Sequence, residues 1–189
     1  QSPSSAASDV YKRQNLDKSN VVILGGTGPV GVASAVICAK AGANVTLVGR
    51  SLEKAEKIAG ICNDRYNSKN VKGGADADKS DFFNAADIVL NTGAAGIQLM
   101  SDEHIKNSNT LKICADTNAV PPSGIAGVDV MDNGKVIDMS PSKCLGIGAL
   151  AIGNIKYKSQ HECLKLMYTS EKPVYLDFED AFNFAQKSV

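Results

Sequence analysis

Gly26-Thr27-Gly28-Pro29-Val30-Gly31 is the first stretch of the 189-residue chain whose residue types and spacing can do chemistry. Glycines at these intervals have three uses. Gly26 permits a tight turn, Gly28 lets the backbone approach a pyrophosphate, and Gly31 lets a helix pack closely on a strand. Pro29 suits a helix start, where its missing N–H would have had no intrahelical partner. The free N–H groups of that first turn then face an anion. The pattern is common in isolation. Here it follows the β-branched, wholly apolar run Val21-Val22-Ile23-Leu24 and opens a helix, which is the context that gives it meaning.

The next informative position is the end of the second predicted strand. A chain that holds both hydroxyls of a ribose usually places a carboxylate there, about twenty residues beyond the glycine turn. This one has Gly49-Arg50-Ser51 instead. A carboxylate would repel a 2′-phosphate, whereas the Arg50 guanidinium can grip it with a charge-assisted fork. Ser51 can add a hydroxyl donor. The expected cofactor is therefore NADP, with NAD possible. Asn91-Thr92-Gly93-Ala94 follows a later strand, and its small residues leave room for the nicotinamide ribose. Asp116 and Asn118, after the next strand, fall on the same sheet edge and are expected near the nicotinamide end.

Little other chemistry is left. His104 and His161 are the only histidines, and both are expected at the surface of helices. No Ser-His-Asp, Cys-His or metal-ligand spacing stands out, so no metal is expected. Asp76 and Asp78 read as solvated loop charges. A hydride transfer whose product cation is stabilised by the substrate's own nitrogen needs no protein acid or base. It needs two ring systems held face to face in a dry cleft.

The elements that must position these residues follow from the hydrophobic pattern. A helix is expected over Pro29 to Ala43, ending at Gly42, and a second strand over Val45 to Val48. Ser51 caps the next helix, with Glu53 and Glu56 in its early turns, and that helix runs to about Tyr66. Asn67 to Asp78 reads as a loop or a poorly formed strand. Buried strands are expected at Asp87 to Asn91 and Leu111 to Ala115, joined by a helix over Ile97 to Lys106. A short strand lies near Lys135 to Asp138. Gly146 to Gly153 is a run of small residues. Two helices close the chain, one over Asn154 to Thr169 and one after Asp177. Strands alternating with helices at this spacing give an α/β doubly wound parallel-sheet Rossmann domain over residues 15–189.

Composition narrows the function further. Twenty basic and twenty acidic residues cancel, and Trp is absent, so neither a nucleic-acid footprint nor a base-stacking platform is expected. No apolar run reaches membrane-spanning length and no signal peptide is evident, which points to a cytoplasmic protein. The five cysteines are scattered without a CxxC pair and read as reduced, mostly buried thiols. Gln1 to Gln14 shows no period. Asp9 to Gln14 back-translates as GAT GTG TAT AAG AGA CAG, which resembles a transposon adapter read through as protein. On that reading the stretch is an artefact, and a natural protein would continue upstream with a further domain.

Longer runs carry a closer resemblance. Leu24 to Gly31, Val48-Gly49-Arg50, Asn91 to Ala94, Ala115 to Ile125 and Gly148 to Lys156 together resemble the NADP-dependent methylene-tetrahydromethanopterin dehydrogenase family. The similarity spans about Asn20 to Lys187. Its most particular segments are Asp116-Thr117-Asn118-Ala119-Val120-Pro121-Pro122 and Gly148-Ala149-Leu150-Ala151-Ile152-Gly153. The resemblance implies oxidation of the methylene bridge of a reduced pterin to the methenyl form in one-carbon metabolism, with NADP taking the hydride. It also implies an N-terminal substrate domain absent from this sequence, and a homo-oligomer is expected. By the same match Lys156 is the candidate to meet cofactor or substrate charge, though no catalytic residue is assigned. Two positions depart from the family pattern. Ser51 stands where relatives often carry a second basic residue, and Asn154 stands where a small one is usual. The competing readings are the NADP domain of a methylene-tetrahydrofolate or shikimate-type dehydrogenase, and a non-enzymatic NADP-sensing domain.

Overall fold

The computed structural model describes residues 16–187, so the artefact reading of Gln1 to Gln14 lies outside the described residues. β1 (Asn20–Leu24), α1 (Pro29–Lys40), β2 (Asn44–Gly49), α2 (Leu52–Tyr66) and β3 (Val71–Ala75) form the first half. A 3₁₀ turn, α3 (Lys79–Asn84), β4 (Ile88–Asn91), α4 (Asp102–Asn107) and β5 (Ile113–Asp116) follow. β6 (Asn133–Val136), β7 (Leu145–Ile147), α5 (Ala149–Thr169) and α6 (Phe178–Lys187) complete it.

The strands form one sheet in the order β3-β2-β1-β4-β5-β7-β6. Every neighbouring pair is parallel except β6 with β7 at the edge. This is the expected Rossmann architecture. Alternation along β1 explains its two-sided burial. Val21 and Ile23 join the cluster of Val45, Leu47, Ala35, Val36 and Cys62. Val22 and Leu24 join that of Phe83, Met100, Ile105, Leu111 and Ile125. The order reverses at β1, which has β2 on one side and β4 on the other. The carboxyl ends of β1 and β4 therefore flank the crevice where open α/β sheets take their ligands.

Several expected boundaries move, each for a visible reason. Residues 67–78 do contain a strand, β3. Its Gly73 and Gly74 hide the usual β signal, and a Cβ on Gly73 would strike the backbone of α2 at Ala55 and Glu56. The helix expected over Ile97 to Lys106 is only α4. Leu99 and Met100 donate their N–H groups to the Gly124 carbonyl, at 2.8 and 3.0 Å, and Met100 bridges Ile125. α5 begins at Ala149 rather than Asn154, after Gly148, whose missing Cβ makes room for the Asp129 and Val130 carbonyls. β7 falls at the start of the small-residue run, where Gly146 masks its strand signal, and α3, six residues long, is too short to show a helical period.

His104 is not simply a surface residue. Its Nδ1 accepts a hydrogen bond from the Ser101 N–H at 3.0 Å, and its ring stands edge-on to Phe83. Burial depresses its pKa, in keeping with a neutral acceptor. His161 is exposed, as expected. The five cysteines are free; Cys62, Cys114 and Cys144 are buried, while Cys38 and Cys163 are half-buried.

Candidate functional site: the carboxyl edge of the sheet

The glycine turn is built on contacts that only glycine allows. A Cβ on Gly31 would stand 2.5 Å from Gly26 Cα, so α1 starts directly on the turn. A Cβ on Gly26 would meet Leu47 at 2.6 Å and the Ile23 carbonyl at 2.9 Å. Gly28 differs. A Cβ there would meet a single protein atom, the Gly25 carbonyl oxygen, at an ordinary 3.7 Å. Internal packing therefore does not require Gly28, and the space above it is open. Gly28 is also the N-cap of α1, with no side chain capping the helix and Pro29 behind it. The N–H groups of Val30 and Gly31 belong to the first turn, where a helix offers donors without partners of its own. An open, donor-lined cradle with no side chain over it fits a phosphate.

Thr27 points elsewhere. Its methyl packs over Gly49, where a Cβ would come within 2.8 Å of it. This contact ties the turn to the end of β2, where Arg50 is exposed. Among the described residues the Arg50 guanidinium forms no hydrogen bond or ion pair. The Ser51 hydroxyl oxygen accepts from the Lys54 N–H at 3.3 Å, capping α2 and leaving its own proton free to be donated. The turn, Arg50 and Ser51 are thus brought to one edge.

On the other side of β1, the expected residues bond mostly to one another and to nearby backbone. Thr92 Oγ1 donates to the Leu24 carbonyl at 2.9 Å. Asn91 is fully buried; its Nδ2 donates to Asp116 Oδ1 at 2.7 Å and its Oδ1 accepts from Gly93 N–H at 3.0 Å. Asp116, 2% exposed, also accepts from the N–H groups of Asn118 and Ile125, at 2.9 and 3.0 Å. Asn118 takes the Gly96 and Val120 N–H groups on its oxygen and donates to the Pro122 carbonyl. The side chains of Asn91, Asp116 and Asn118 are therefore turned inward, onto the loops that surround them. Ala94 is exposed at the loop tip.

Lys156 is exposed on α5, seven residues past the helix start at Ala149, or about 10 Å along the axis. Among the described residues it forms no hydrogen bond or ion pair. Concavities between α3 and α4 (at Phe83 and His104) and between α5 and α6 (at Tyr157 and Phe184) do not include residues of the turn. Among the described residues no cluster of His, Cys, Asp and Glu can hold a metal ion, and no helix is long and apolar enough to cross a membrane.

Sequence reasoning missed two glycines here. Gly25, at φ +64°, lies so near Gly93 that a Cβ would strike its backbone, closing β1 against β4. The doubled Gly25-Gly26 was the available signal. Gly124 lies against the Asn91–Asp116 pair, where a Cβ would displace the Asn91 amide. Nothing in its local sequence announces that contact.

The NAD(P)-dependent methylenetetrahydromethanopterin dehydrogenase of Methylorubrum extorquens is 37% identical to the chain over 174 residues, 90% of the chain. The bifunctional protein MdtA of the same organism is 36% identical over 168 residues. The chain spans 58% and 57% of the length of these two relatives. No protein-family model matches the chain. Among solved structures, the quinate dehydrogenase of Corynebacterium glutamicum in complex with NAD superposes with a TM-score of 0.59 at 17% identity. It covers 99% of this chain and 60% of its own. The shikimate 5-dehydrogenase of Listeria monocytogenes, in complex with shikimate and NAD, gives 0.55 at 13% identity, over 95% of this chain and 60% of its own. At such identity these two support the fold alone.

Proposed function

We propose that the carboxyl edge of this domain binds NADP, with NAD as a weaker ligand, and that the whole protein is a methylene-tetrahydromethanopterin dehydrogenase. The observation that carries the cofactor reading is the uncovered Gly28 beside the unpaired Arg50. Val30 and Gly31 would hold the pyrophosphate through backbone N–H groups, with Gly28 leaving room for it, while Arg50 and Ser51 would hold the 2′-phosphate. Bound NADP supplies a hydride acceptor. The loops after β4 and β5 would shape the place where a flat ring lies, and the exposed Ile97 and Val120 there can exclude water from it.

The pterin reading rests on the 37% identical relative and on the segments around Asp116 and Gly148 that resemble the family. No side chain is needed as acid or base if the substrate nitrogen stabilises the product cation. A small-molecule reduced pterin is the proposed partner, and the cofactor domain binds neither nucleic acid nor membrane.

The test is a parallel titration of the purified chain with NADP and NAD, repeated on Gly28→Ala. Wild type is expected to bind NADP more tightly. Gly28 has φ −86°, which alanine adopts freely, so the variant should melt within about 0.5 kcal/mol of wild type while losing affinity for both ligands. A variant that binds as well as wild type would overturn the cradle. Wild type that binds neither ligand would overturn the cofactor reading for this chain.

A further inference from the structure

Arg50 stands at the end of β2, and β4 and β5 lie on the opposite side of β1. A dinucleotide with its pyrophosphate on the glycine turn and its 2′-phosphate at Arg50 must therefore extend its other half over the ends of β4 and β5. The two loops there, residues 92–96 and 117–125, are joined by one buried polar network. Asn91 and Asp116 are register partners, the last residues of their strands. Two apolar side chains would pack at that position at lower desolvation cost. The polar pair does what they cannot: it reaches past the strand ends and grips the backbone of both loops. One Asp116 oxygen is shared by Asn91 and Asn118, the other holds Ile125, and Asn118 carries the link across to Gly96.

We infer that Asp116 is a positioning residue for the nicotinamide half of the cofactor, acting through Asn91 and Asn118 to fix the spacing of the two loops. This rests on the cofactor reading above. Asp116 itself is buried and bonded to loop donors. Because all three of its partners are donors, an amide in its place must turn an NH₂ group toward one of them, and the loops separate. Gly124 offers an independent route to the same outcome, since a methyl group there would push out the Asn91 amide from behind.

The experiment titrates wild type, Asp116→Asn, Gly124→Ala and Asn118→Ala with two probes. One is NADP. The other is adenosine 2′,5′-bisphosphate, which carries the 2′-phosphate end and no nicotinamide. Each variant is expected to lose about tenfold in NADP affinity, with less than about a twofold change for the bisphosphate. The pair swap Asn91→Asp with Asp116→Asn restores a donor–acceptor match between the two side chains and should recover part of the loss. Equal losses for both probes, or none for either, would overturn the inference while leaving the cofactor reading intact. Wild type that binds neither probe would overturn that reading, and the inference with it. If Asp116→Asn does not fold, Asn118→Ala decides, because its bonds are to loop backbone only.

Discussion

Asp87 and Asp116 stand at opposite ends of the same sheet, and each ties neighbouring strands together by quite different means. At the amino end, Asp87 takes the Asn20 N–H at 2.9 Å on one oxygen and the Lys112 ammonium at 2.9 Å on the other, joining the starts of β1, β4 and β5. Water still reaches the pair. At the carboxyl end, Asp116 is sealed off and met only by neutral donors. Arg50, at the end of β2, is left without a partner among the described residues, and Val30, Ile97, Val120 and Leu150 remain about half exposed. One end spends its charge internally. The other holds its loops with amides and backbone, keeping charge and apolar surface for a guest.

The comparison breaks most severely at Gly25. An alanine there must adopt φ +64° and drive its methyl group into Gly93, prising β1 from β4 at the switch point. The left-handed conformation and the overpacking together should cost about 2–4 kcal/mol of folding stability. Thermal or urea unfolding of Gly25→Ala checks this. A loss under about 1 kcal/mol would mean that the two strand ends separate easily and that the carboxyl edge is not rigidly assembled.

Much of this edge was legible in the sequence, because a few residue types there have few other uses. The β-branched run before Gly26, the glycine spacing and the Ser51 cap each carry a local physical signature, and each stands where expected. What was illegible depended on contacts distant along the chain. β3 reads as a loop or a poorly formed strand because α2 lies against Gly73, and α4 is short because Gly124 takes the N–H groups of Leu99 and Met100. Asn91, Asp116 and Asn118 were correctly placed at the edge. Their side chains turn inward because each finds loop backbone to satisfy within three ångströms or so, and no pattern within a strand encodes which way a terminal residue turns.

A smaller effect, on binding rather than folding, sharpens the other half of the contrast. Arg50→Ala removes the unpaired cation and breaks no contact among the described residues, so its melting point should stay that of wild type. NADP affinity is expected to fall roughly ten- to a hundredfold, with NAD little changed. Parallel calorimetric titrations measure both. Equal losses would show that Arg50 does not read the 2′-phosphate, leaving Ser51 and the start of α2 to do so.

The smallest effect belongs to the amino end. Burial alone would raise the Asp87 pKa, but the Asn20 hydrogen bond and the Lys112 ammonium outweigh it and hold the carboxyl below its usual range. Such a group stabilises the fold above the ordinary aspartate value near 4, and that contribution is lost as pH falls through the lower folded value. Asp87→Asn keeps the shape and an acceptor for Asn20, so at neutral pH it should cost only about 0.5–1 kcal/mol. The gap between wild type and variant should then narrow below about pH 4, where wild type loses stability and the amide does not. Urea unfolding at neutral and acid pH separates the outcomes. A gap that stays constant would mean that Asp87 acts through shape alone, making the amino end as indifferent to charge as the Asn91–Asp116 seam is to solvent. Cofactor affinity should not change in this variant, because nothing at the amino end reaches the glycine turn except through the length of the sheet.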